Sequence, residues 1–221
     1  MKAVAITGIG IISCLGTDTG EVTSSLKEGR SGIILDQNRK NKGFRSCLTA
    51  NIKNFKPDQW GFRKKTRRTM CEPALYACAA ASDAVKDSGL TDNQVQSDRC
   101  GIIFGNDSTI QASVESIDTM RQYGETHYIG SSQIFRAMNS TVTMNLAAYF
   151  GTMGANWTIS AACASGAHVI GQALMLIRSG LQDIVITGGA QETNWMSMAS
   201  FDSLNALSVR EDHPKTASRP F

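Results

Sequence analysis

Apolar positions in this chain come in blocks. Four short blocks are almost continuously apolar and predict buried strands: residues 2–7, 100–105 (CGIIFG), 157–161 and 183–187. Between them, apolar residues recur every three or four positions, which predicts helices over 19–28, 67–88, 114–123, 141–150, 164–179 and 195–204. Asp18 and Glu21 form a capping-box pattern ahead of the first helix, and Gly29, Gly89, Gly151 and Gly180 stand where four of the helices should stop. Pro73 marks a late start or a first-turn position in the second helix. Residues 30–62 read as irregular and polar. Continuously apolar strands alternating with helices predict an α/β fold, a mostly parallel sheet with helices on both faces.

Composition changes this picture little. With 221 residues, 42% hydrophobic and 19% charged, the chain has the make-up of an ordinary globular protein, long enough to bury a sizeable core. A net charge of +3 implies no polyanion such as nucleic acid, so any electrostatic recognition must rest on a local patch. Such a patch exists at Arg63, Lys64, Lys65, Arg67 and Arg68. Read as the start of the 67–88 helix, it opposes the helix dipole, an unfavourable placement that favours a role for a partner over a merely solvated helix start. Six cysteines without CxxC spacing and three scattered histidines argue against zinc, and reduced cytosolic thiols are expected. The segment before Cys14 has the outline of a lipoprotein cleavage site. Thr7, Gly8 and Gly10 break its apolar run, so a buried first strand is expected instead. No run approaches the ~20 apolar residues of a membrane span.

The chemical signal lies at 160–171 (SAACASGAHVIG). A strand should end at Ala161 and a helix should begin just after Cys163, with Ala162, Ala164, Ser165 and Gly166 leaving room for a substrate. A strand-to-helix turn can hold a nucleophile exposed at a sheet edge. The helix N-terminus favours an anion by about 0.3–1 kcal/mol, and its free N–H groups can donate to an oxyanion. His168 lies five residues on, about 140° around the helix, so it should point elsewhere and is read as a packed structural residue. From these residues alone two readings stand side by side: Cys163 is a nucleophile, or it is a buried, inert cysteine.

Several motifs, taken in order, break that tie. VAITGIGIISCLG (4–16), TISAACASGAHVIG (158–171), DIVITGGAQE (183–192), FDSLNALS (201–208) and ASRPF (217–221) resemble the elongating beta-ketoacyl-ACP synthases, the condensing enzymes of fatty-acid synthesis. The resemblance runs nearly end to end and implies the N-terminal half of a thiolase-like fold, a single domain over 1–221, whose full enzyme stacks αβαβα layers. Cys163 matches the acyl-carrying cysteine. The family's two catalytic histidines, its lysine and the second oxyanion donor belong to a second half without counterparts here, and the SRPF ending reads as a cut.

The implied reaction is acyl transfer to Cys163, decarboxylation of malonyl-ACP and condensation to a 3-oxoacyl-ACP. The resemblance implies no metal and no bound organic cofactor. Its partners are the acyl carrier protein, received by Arg63, Lys64 and one of Arg67 or Arg68, and a second copy in a cytoplasmic homodimer. Three other readings compete. A dinucleotide-binding fold is disfavoured because Ser13 stands where a third glycine belongs. A non-catalytic partner subunit is disfavoured because the cysteine is present. A fragment that merely folds or dimerises stays open for these 221 residues alone.

Overall fold

The computed structural model describes residues 3–220. Its main elements are α1 (Thr19–Lys27), β1 (Ile34–Leu35), β2 (Leu48–Thr49), α2 (Glu72–Ser88), β3 (Cys100–Gly105), α3 (Gln111–Tyr123), α4 (Thr141–Phe150), β4 (Asn156–Ile159), α5 (Ser165–Arg178), β5 (Ile184–Gly189) and α6 (Trp195–Ser203). They fall into two compact units. One takes the residues up to Gly10 with Pro57–Glu192, the other Ile11–Lys56 with the residues from Thr193 on.

The first unit is built on a parallel sheet of order β4-β3-β5, in which Ile103 lies opposite both Trp157 and Thr187. All six residues of β3 are buried, as a strand covered on both faces requires. On one face Ile103 packs with Val169 and Leu176 of α5, and Ala155, Ile159 and Val185 close around them. Each large apolar side chain buried this way contributes about 1.5–3 kcal/mol. Strand alternation turns Ile102 and Phe104 to the other face, which α4 and α2 cover. Their close approach depends on small residues: Ala74, Ala77, Ala79 and Ala81 of α2 are buried, as are Val142 and Leu146 of α4. The α/β class, the parallel sheet and the helices on both faces are as predicted.

Three details differ from the sequence reading. The second long helix begins at Glu72 with Pro73 in its first turn, and residues 64–67 form a separate one-turn helix. Residues 30–62 are not wholly irregular, since β1 and β2 pair antiparallel there. The largest difference concerns the predicted strand over 2–7. Lys2 lies outside the described residues, and residues 3–7 are in no strand. Instead the segment lies against α2. Ile9 N–H donates to Asp87 Oδ2 at 3.0 Å, and a Cβ at Gly8 or Gly10 would run into the carbonyl of Ala84 or Ala80. Ile6 is 80% exposed and Ile9 59%. An apolar run carries no information about its partner, and here its glycines fit a helix backbone.

In the second unit Asp18 caps α1 as expected, accepting from Glu21 N–H at 2.8 Å, while Glu21 Oε2 reaches one residue past the cap to Thr17 N–H at 2.8 Å, so the capping box is not closed on Asp18 itself. Asp202 of α6 takes the N–H groups of Arg45 and Ser46 at 2.8 and 2.9 Å, and so ties α6 to the segment leading into β2.

Candidate active site

The sheet brings the carboxyl ends of β3, β4 and β5 to one edge, where open α/β sheets place their sites. β4 ends at Ile159 and α5 begins at Ser165, leaving a five-residue connection that contains Cys163. Within it Ala162 has φ +49°, a left-handed conformation uncommon for any residue but glycine. Hydrogen bonds from two sides hold this turn. Ser165 Oγ accepts the Ala161 N–H at 2.8 Å and donates to the Ala162 carbonyl at 2.7 Å. Asp107 Oδ1, beyond the end of β3, accepts the Ala162 N–H at 3.0 Å and the Ser160 hydroxyl at 2.8 Å. The turn leaves Cys163 exposed, at the mouth of a cleft of about 270 Å³ that Gly105, Asp107, Gly166, Gly189 and Gln191 help to line.

The cleft depends on small residues. A Cβ on Gly105 would sit 2.6 Å from the carbonyl carbon of Ser165 and 2.8 Å from the Gly166 nitrogen. A Cβ on Gly189 would sit 3.3 Å from Gly166 Cα. The first turn of α5 therefore rests backbone to backbone on the ends of β3 and β5. Ala190 N–H donates to the Gly105 carbonyl at 3.0 Å and closes the floor.

Cys163 is thus placed as its local sequence predicted, on a strand–turn–helix elbow, and the alternative of a buried cysteine fails. His168 is corrected in the opposite sense: it is exposed and not packed, because the face of α5 that carries it is not covered. Among the described residues no histidine lines the cleft. Sequence reasoning missed Asp107, which lies 55 positions from Ala162 and belongs to no local motif. Its signal was the place of a carboxylate just past the end of a central strand.

All six cysteines are free thiols. Cys47, Cys71, Cys78 and Cys100 are buried, and burial pushes the Cys78 thiol up to about 12 and that of Cys100 to about 11. At pH 8 these two are neutral and shielded. Limited iodoacetamide is therefore expected to alkylate Cys163 first and half-buried Cys14 next, with the buried four unmodified until denaturant is added; peptide mass spectrometry reads the order. Modification of Cys78 ahead of Cys163 would contradict this geometry.

The basic residues sit on the separate turn before α2. Arg63, Lys64, Lys65 and Arg68 are exposed, whereas half-buried Arg67 pairs with Asp58 at 3.1 Å. The expected conflict with the dipole of the long helix does not exist, since that helix starts later, and it lends no weight to a partner. Among the described residues no cluster of three or more His, Cys, Asp or Glu could hold a metal, and no helix is long and apolar enough to cross a membrane.

The family described as "Beta-ketoacyl synthase, N-terminal domain" matches residues 1–221. This chain belongs to the beta-ketoacyl synthase family. The 3-oxoacyl-[acyl-carrier-protein] synthase 1 of Escherichia coli (strain K12) is 38% identical over 225 residues, covering 100% of this chain and 55% of that protein. The crystal structure of a beta-ketoacyl synthase from Burkholderia phymatum superposes with a TM-score of 0.89 at 31% identity, over 100% of this chain and 54% of that one. A type II polyketide acyl-carrier protein in complex with its ketosynthase gives a TM-score of 0.76 at 24% identity, over 93% of this chain and 49% of that one, and shares the fold. The chain spans about half the length of the synthases it matches.

Proposed function

We propose that this chain carries the acyl-accepting half of a 3-oxoacyl-ACP synthase and that Cys163 takes the acyl group. The observation that supports this most is the exposed Cys163 on its left-handed elbow at the helix N-terminus. In the proposed sequence, Cys163 Sγ as thiolate attacks the carbonyl of an acyl thioester on the carrier protein. The S–C bond to Cys163 forms, the bond to the phosphopantetheine sulfur breaks, and that thiol leaves with a proton. The carbonyl oxygen becomes an oxyanion in between, at the positive end of α5, whose dipole favours negative charge; the Ala164, Ser165 and Ala167 N–H groups already donate to the carbonyls of Ala161, Ala162 and Ala164. Malonyl-ACP then loses carbon dioxide. Its carbanion attacks the acyl-Cys163 carbonyl, giving 3-oxoacyl-ACP and returning the thiolate. The test is to incubate the chain with an acyl-ACP and read its intact mass. One hydroxylamine-labile acyl group on Cys163 is the expected result, and an acyl group on any other residue, or none, refutes the reading.

Condensation needs more than this. The family resemblance places in the second half the two histidines that stabilise the enolate, a lysine and the second oxyanion donor, and loss of even one oxyanion donor costs about 2.7–4 kcal/mol. The 221 residues by themselves are expected to load an acyl group and to form no 3-oxoacyl-ACP from malonyl-ACP. Liquid chromatography–mass spectrometry of the carrier-bound product checks this, and measurable condensation would overturn it.

Arg63, Lys64 and Arg68, with Arg67 in a lesser role because Asp58 already partners it, are proposed to receive the acidic carrier protein. The support is their exposure on one turn. The double variant Arg63→Glu, Lys64→Glu is expected to slow association about tenfold at low salt with little change in dissociation, since rim charges act mainly on encounter. Unchanged association in stopped-flow fluorescence would remove the patch from the account. The resemblance also supports a homodimer working in the cytoplasm, the first of which sedimentation velocity would test.

A further inference from the structure

We propose that Asp107 is a positioning residue for Cys163: its carboxylate holds Ala162 in the left-handed conformation that presents the thiol to the cleft. This rests on the reading of Cys163 as the acyl acceptor. An L-residue at φ +49° is strained and persists only where its surroundings over-determine it. Ser165 fixes the peptide groups on the α5 side of the turn. From the β3 side the fixing group is Asp107 Oδ1, with the Ala162 N–H at 3.0 Å and the Ser160 hydroxyl at 2.8 Å. Asp107 is itself anchored: Asn139 Nδ2 donates to its carbonyl at 3.0 Å, and the buried Asn106 holds the Asn139 carbonyl at 2.8 Å. The segment around Asn139 thus anchors Asp107, and Asp107 in turn holds the Ala162 N–H next to the nucleophile. Asp107 also lines the cleft with Cys163.

The test measures the iodoacetamide rate at Cys163 in the whole chain, with Cys14 in the same sample as internal reference. Asp107→Ala removes a charge-assisted acceptor and is expected to slow Cys163 about tenfold or more relative to Cys14. Asp107→Asn keeps an oxygen that can accept both hydrogen bonds and is expected to recover most of the rate. No slowing in Asp107→Ala, or an Asn variant as slow as the Ala variant, overturns the proposal.

A cycle with Ala162→Gly guards against a fold defect. Glycine adopts positive φ without strain, so in that background Asp107→Ala is expected to cost no more than about threefold. An equal loss in both backgrounds overturns the proposal, because the carboxylate would then act on something other than the turn. Acyl loading from acyl-ACP is read in parallel. If Cys163 alkylates but never takes an acyl group, the acyl-acceptor reading fails while the positioning effect on alkylation still stands.

Discussion

Cys163→Ser is expected to end acyl uptake by this chain. Serine preserves the volume and the elbow, so the fold should be untouched and only the chemistry changes. A hydroxyl is a weak nucleophile unless a base takes its proton, whereas a thiol is partly thiolate near neutral pH and intrinsically more nucleophilic. Among the described residues the cleft offers no histidine for the part of a base. The rate of acyl-enzyme formation should fall by a factor on the order of 10⁴ or more, as when a nucleophile is removed from other covalent catalysts. The measurement is the acylated fraction by intact mass against time with acyl-ACP in excess, with Cys14→Ser as a control expected to load normally. A serine variant that loads within tenfold of the parent would show that the acyl group resides elsewhere.

How far the sequence could be read depended on whether each feature was local. β3 was legible because a strand buried on both faces must be apolar throughout; β4 and β5 were found from the same kind of run, but they are not buried strands, since Asn156 and Trp157 of β4 are exposed and Ile186 alone of β5 is buried. The caps of α1 and α2 were legible because Asp18 with Glu21, and Gly89 at φ +68°, act within a few residues of the end they cap. Cys163 was half legible: small residues around a cysteine between strand and helix describe an elbow, but the strain at Ala162 does not appear in the letters. What failed was non-local. The run VAITGIG has the composition of a strand, and whether it joins the sheet or lies along α2 turns on distant partners. His168, about 140° around α5 from Cys163, does not line the cleft, but nothing local states that the face of α5 it occupies is open and not packed. Asp107 escaped because its hydrogen bonds to the turn depend on the parallel register that brings the end of β3 beside the turn after β4, which no spacing in the chain records.

The same non-local contact sets the second large effect. Gly105→Ala adds one methyl group where β3 ends, and that carbon would lie 2.6 Å from the Ser165 carbonyl carbon and 2.8 Å from the Gly166 nitrogen. Both are backbone atoms, so no side chain can swing aside. Either the first turn of α5 lifts or the end of β3 is pushed down into a fully buried layer. Overpacking of this kind costs about 1–3 kcal/mol or more, and the urea midpoint is expected to fall accordingly. If the helix lifts, Ser165 moves away from Ala161 and Ala162, the elbow loosens, and Cys163 loses its advantage over Cys14 in alkylation. The contrast is Gly171, in the middle of α5, where an added Cβ meets nothing within 4 Å. There alanine is expected to stabilise the chain by roughly 0.5–1 kcal/mol through helix propensity alone. Opposite signs at the two glycines would show that Gly105 is required by the contact it makes. A Gly105→Ala variant with the parent's midpoint and the parent's Cys163 rate would show that α5 has slack above the sheet, and that the seat of the nucleophile is not set by this contact.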